Sequence, residues 1–133
     1  MLKLEVVTPE KKVVETQTDA VTVPTASGDA GILPNHAPLV SALKAGILSY
    51  TTGSVTTRLA IAGGFVEVSD NSVSVLADGA ETADEIDLTA ARAARDAAEK
   101  ALAAAINQPL DETRHLQADL EAAAARVQLA GGK

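Results

Sequence analysis

The feature that most constrains this chain is a change of period near residue 80. Before it, apolar residues alternate with polar ones in short runs: Leu2-Lys3-Leu4-Glu5-Val6, Ala20-Val21-Thr22-Val23, Val66-Glu67-Val68 and Val73-Ser74-Val75. Period two is the signature of half-buried strands. Thr52-Gly53-Ser54 and Asp70-Asn71 separate such runs with turn chemistry, the second lying between two Val-rich segments as a hairpin requires. Residues 1–80 hold seven of the nine Gly and four of the five Pro, whereas residues 83–133 hold 17 Ala. There the apolar positions take helical spacing: Leu88, Ala91, Ala94, Ala98, Leu102 and Ala105, then Leu116, Leu120, Ala123 and Val127. Asp87 is placed to cap the first helix, Asn107-Gln108-Pro109 to stop it and Asp111 to cap the second. Asp96 and Lys100 stand four apart in the favourable order.

Several short strands cannot bury their apolar faces as one open sheet. The expected fold class is therefore α+β, an N-terminal antiparallel β-sandwich over residues 1–84 followed by a C-terminal two-helix antiparallel hairpin over residues 85–133. An Ala stripe buries little area, which weakens docking. Yet Ala is the best helix former, so the hairpin can keep its helicity without a partner. Strong local preference with weak docking predicts a movable arm; a hairpin permanently packed on the sandwich is the alternative.

The functional exclusions follow from what is missing. The chain has no Cys, hence no disulfide, thiolate nucleophile or sulfur-bound zinc. The start Met1-Leu2-Lys3-Leu4-Glu5 carries alternating charge instead of a leader's apolar run, and Leu59 to Val66 is far short of a membrane span of about 20 residues. A net charge of -7 with one Phe, one Tyr and no Trp disfavours nucleic acid. His36 and His115 form no metal motif at helical spacing, and Ser27 and Ser41 have no readable base. Gly131-Gly132-Lys133 lacks the rest of a phosphate loop and reads as a tail. No catalytic residue, metal or cofactor is expected.

One segment stands apart. Pro24 to Leu39 is rich in Gly and Pro and mixes Ile32 and Leu33 with Asp29 and His36. Displayed on a rigid loop, two large apolar side chains beside charged groups make a protein-binding tip. The alternative is that Ile32 and Leu33 turn inward as core.

Gly31-Ile32-Leu33-Pro34-Asn35-His36-Ala37-Pro38-Leu39, Leu43 with Gly46-Ile47-Leu48, Ala60-Ile61-Ala62-Gly63-Gly64-Phe65-Val66-Glu67-Val68, Val75-Leu76-Ala77-Asp78 and Ile86-Asp87 occur in that order. In this ordered set the chain closely resembles the epsilon-subunit family of F-type ATP synthases. The resemblance implies a non-catalytic rotor subunit. Its sandwich would pack on the gamma subunit and on the polar loops of the membrane ring of c subunits. Its helix pair would lie folded or extend toward the alpha/beta head, where the extended form restrains ATP hydrolysis. The complex would hold it as a peripheral protein on the cytoplasmic or stromal-type side of an energy-transducing membrane, the thylakoid in a cyanobacterium. By position, Gly28, Asp29, Gly31, Ile32, Leu33, Pro34, Asn35, His36, Ala37, Pro38 and Leu39 would form the ring and stalk interface, with Asp29 and His36 setting register and Ile32 and Leu33 supplying affinity.

Some family members bind ATP on the folded helices through Ile or Leu, Asp, two free positions, Arg and Ala. Here Ile86 and Asp87 match, but Ala90 stands where Arg is needed, and Arg92 falls two residues late, about 200° around the helix. Weak or absent nucleotide binding is expected. Residues 110–133 carry Arg114, Arg126 and Lys133 against Asp111, Glu112, Asp119 and Glu121, so electrostatic capture by an acidic partner should be feeble. Two other readings fit the composition. A stand-alone sandwich adaptor with a helical arm leaves the ordered matches unexplained, and a small hydrolase using His36 as base lacks a nucleophile.

Overall fold

The computed structural model describes residues 1–131; Gly132 and Lys133, read as part of a tail, lie outside the described residues. Ten strands come first: β1 (Leu2–Val7), β2 (Lys12–Thr18), β3 (Ala20–Thr25), β4 (Gly28–Ile32), β5 (Leu39–Leu43), β6 (Gly46–Thr52), β7 (Val55–Ile61), β8 (Gly64–Ser69), β9 (Ser72–Ala77) and β10 (Ala80–Glu81). A 3₁₀ turn (Ala83–Glu85) leads into α1 (Leu88–Ala104) and α2 (Leu110–Ala130). The hydrogen-bonded path runs β10-β7-β6-β3-β5-β8-β9-β1-β2, with β4 attached to β3. Between β3 and β5 the register is a single pair, Thr25 opposite Leu43, flanked by Ala26 N–H to Ala42 O and Lys44 N–H to Pro24 O, each 3.0 Å. At this seam the path folds into two layers whose inner faces meet.

Alternation determines which side chains enter that core. Leu2, Leu4 and Val6 point inward with Val66, Val68, Val73 and Val75, all nearly inaccessible to solvent. Register fixes the outward set as firmly: Phe65 lies opposite Leu76 and Ala42, and Glu67 opposite Val40. Asp70 and Asn71 both take left-handed backbone (φ 50° and 60°) between the paired Ser69 and Ser72, the two-residue hairpin turn expected of them. Among the described residues, the sandwich core contains none from either helix.

Asp87 caps α1 by accepting the Ala90 N–H at 3.1 Å. Three expectations for the helices are corrected. Pro109, not Asp111, is the cap residue of α2 (φ -56°, ψ 147°). Proline's fixed φ suits a helix start, and Asp111 and Glu112 instead occupy the first turn, where the helix dipole favours acids. Ala94 is exposed, because the buried seam runs through Ala91 and Ala98 with Arg95 half-buried between them. Lys100 and Asp96 are not paired among the described residues; Arg95 lies 3.6 Å from both Asp96 and Glu99.

The hairpin is docked. Leu59 and Ile61 of β7 point into the core, so Ala60 between them faces outward, yet it is only 5% exposed. What covers it is the end of α2, where Val127, Leu129 and Ala130 join Ile47, Ala60, Ile86 and Ala91 in a second, small apolar cluster. Among the described residues no helix is long and apolar enough to cross a membrane.

Candidate functional site

The segment read as one loop is an edge strand followed by a turn. Gly28, Asp29 and Gly31 belong to β4, paired on one side with β3. Ile32 lies opposite Val21 and is completely buried. It supplies core, so of the two apolar side chains only Leu33, 62% exposed, is open to a partner. Gly28 pairs with Thr25 at one end of the strand and Ile32 lies four residues on, about 13 Å away at 3.3 Å per residue. Asp29 and His36 thus sit toward opposite ends of one rim instead of together at a tip.

Leu33-Pro34-Asn35-His36 closes as a β-turn, with His36 N–H donating to Leu33 O at 3.1 Å. Pro34 suits its second position, and Asn35 takes φ 68° at its third, the left-handed conformation that a type II turn demands. His36 Nδ1 lies 2.7 Å from Ala37 O. Leu33, Pro34, Asn35, Ala37 and Pro38 are exposed, with His36 and Leu39 half-buried.

A second surface escaped the sequence reading. Val40 on β5, Phe65 on β8 and Leu76 on β9 point outward on neighbouring strands and are 72%, 59% and 60% exposed. With Glu5, Glu67 and Ser74 they line a shallow groove. The sequence signal was present but ambiguous: Phe65-Val66 and Val75-Leu76 are adjacent apolar pairs, and only the register decides which member faces out. This bare face belongs to the β5-β8-β9 layer, while the hairpin covers the other layer at β6 and β7.

At the hairpin root, Arg126 Nε of α2 donates to Glu81 Oε1 of β10 at 2.8 Å. Glu85 accepts from the Thr82 N–H (2.9 Å) and hydroxyl (3.1 Å) and lies 3.5 Å from Lys11. The Thr82 N–H chiefly, then its hydroxyl and the Lys11 charge, hold the Glu85 carboxyl below its ordinary pKa. The remnant nucleotide motif has structural duties here: Ile86 packs against Ala60 and Ala91, and Asp87 caps α1. Among the described residues no cluster of three or more His, Asp or Glu is placed to hold a metal.

A β-sandwich with an appended helical hairpin, presenting an open edge strand and a bare apolar face, has the surfaces of a subunit built to meet neighbours. Residues 1–83 match the family model for the ATP synthase Delta/Epsilon chain beta-sandwich domain. A protein named ATP synthase epsilon chain from Nitratidesulfovibrio vulgaris is 46% identical over 130 residues, covering 98% of this chain and 96% of that one. Another from Desulfitobacterium hafniense is 48% identical over 99 residues, 74% of this chain and 75% of that one. The chain belongs to the ATP synthase epsilon-chain family, a subunit of the enzyme complex and not itself a catalyst. The fold recurs in a chain of the Euglena gracilis mitochondrial ATP synthase OSCP/F1/c-ring structure, with TM-score 0.75 and 24% identity over 98% of this chain and 80% of that one. A chain of the Tetrahymena thermophila central stalk/c-ring structure matches with TM-score 0.56 and 20% identity over 69% and 70%.

Proposed function

We propose that this chain is the rotor connector of a proton-translocating ATP synthase, seated on the gamma subunit through the Val40-Phe65-Leu76 face and against the c ring through the β4 edge and the Leu33–Ala37 turn. The observation that carries the reading is the bare apolar face. Three large side chains left in water on one face of an otherwise well-packed sandwich mark a surface meant to be covered. Burying each is worth about 1.5–2 kcal/mol, together about the lower end of the ~4–15 kcal/mol lost on association, so the surrounding contacts supply the rest of the affinity. Asp29 and His36, spread along the rim, set orientation more than affinity.

The helical hairpin is the mobile arm. Its docking on β6 and β7 uses a small cluster rich in Ala, and the sandwich core is complete without it. Leaving that face, the helices would extend along gamma toward the alpha/beta head and restrain ATP hydrolysis by steric insertion. The subunit would then sit peripherally on the cytoplasmic or stromal-type side of the membrane, held by the complex. Co-purification tests the seat: Phe65→Glu with Leu76→Glu should abolish recovery with gamma while preserving the fold. Undiminished recovery would overturn the assignment.

A further inference from the structure

From the contacts around the Leu33–His36 turn, we infer that Asn71, remote in sequence, is the positioning residue that presents this turn to the c ring. This rests on the ring-facing reading above and adds the device that holds the contact in shape. In a type II turn the middle peptide is flipped relative to type I, which reverses the direction of the third residue's N–H, a donor that the turn's own hydrogen bond does not use. Here that donor is Asn35 N–H, and it is captured by Asn71 Oδ1 at 2.6 Å. Asn71 is itself anchored: it is the second residue of the β8-β9 turn, and its carbonyl accepts Lys3 N–H at 2.8 Å. One side chain therefore ties the Leu33–His36 turn to the hairpin turn, whose backbone is joined in turn to the first strand. An exposed turn lacking this acceptor would exchange between the two peptide orientations, reversing the Pro34 carbonyl and the Asn35 side chain that the turn displays beside Leu33 and His36. Preorganisation of this kind acts on affinity by removing the cost of ordering the loop on binding.

The geometry supplies a clean variant. Asn71→Gly converts the β8-β9 turn to Asp-Gly, a favoured pair for the left-handed conformation both positions already adopt, and keeps the backbone bond to Lys3. Only the acceptor for Asn35 is lost. Asn71→Asp retains an acceptor and tolerates the same backbone.

Two readouts on the full chain test the inference. Water-exchange NMR should show the Asn35 amide of Asn71→Gly exchanging about 3–10-fold faster than wild type, the worth of one exposed hydrogen bond. Amides of Val66 and Val75 should stay unchanged, and Asn71→Asp should restore Asn35. Binding to a rotor subcomplex of gamma and c ring prepared without this chain should weaken by a similar factor in Asn71→Gly and recover in Asn71→Asp. An unaltered Asn35 exchange rate would overturn the tie. Faster exchange with wild-type binding, in a series where Leu33→Ser does weaken binding, would overturn the positioning role while leaving the ring contact standing. Wild-type binding by Leu33→Ser would remove the ring contact at this turn and the positioning role together.

Discussion

The Arg126–Glu81 ion pair should set how often the helical arm leaves the sandwich. It is the single ion pair joining α2 to the sandwich among the described residues, with Nε to Oε1 at 2.8 Å and side chains 30% and 37% exposed. Fully exposed pairs contribute about 0.2–1 kcal/mol. A part-shielded, hydrogen-bonded pair belongs at the top of that range, so Glu81→Ala should cost docking about 1 kcal/mol, a roughly fivefold rise in the undocked population. Amide exchange along Val127 to Ala130 reads this, because the last turn of α2 frays once its side chains leave the cluster on Ile47 and Ala60. In Glu81→Ala those amides should exchange about fivefold faster while Val66 and Val75 do not change. Raising salt should speed exchange in wild type and have little further effect in the variant. Equal protection in the two proteins at low salt, or salt sensitivity that survives the substitution, would refute the reasoning.

Gly64 carries the largest single backbone constraint. Its φ is 130°, and a Cβ there would lie 2.0 Å from Leu76 O and 2.9 Å from the Ala77 Cα. Gly64→Ala combines strain with a clash against backbone that no rotamer relieves, and should cost about 3–5 kcal/mol in urea unfolding. Gly53→Ala, with φ 61° and open space around it, should cost about 1–2 kcal/mol, and equal effects would contradict the close-approach argument. Because the Glu85 pKa is lowered on folding, its contribution is present above the unfolded Glu value of about 4.3 and is lost as pH falls through the lower folded value. Helix-root amides near Thr82 should therefore lose protection below about pH 4.3 in wild type, and Glu85→Gln should lack that acid-side change. Calorimetry with ATP should give no sub-millimolar binding, since Asp87 is engaged in the α1 cap and Ala90 stands where the motif needs Arg; tight binding that disappears in Asp87→Ala would contradict this.

Much of the fold was legible because alternation and helical spacing are strong where Val, Leu and Ala dominate. The strand Leu2–Val7, the Asp70-Asn71 turn and the Asp87 cap stand where the residues place them. β4 was hidden because Gly28, Asp29 and Gly31 have poor strand propensity, and its partner β3, not its own composition, makes it a strand. That same pairing turns Ile32 inward and divides the expected tip into an edge and a turn. The apolar face at Phe65 and Leu76 needs strand register, which adjacent apolar residues leave undetermined. Arg126 meets Glu81 across 45 positions, and Asn71 meets Asn35 across 36, separations at which sequence pattern carries no pairing signal.

The central claim is that this chain acts by seating its sandwich on the rotor. Its most direct test is titration of the purified full chain onto a gamma and c-ring subcomplex that lacks it. The account predicts saturable one-to-one binding, lost in a folded Phe65→Glu, Leu76→Glu variant. Absence of binding by wild type, or identical binding by that variant, would contradict it.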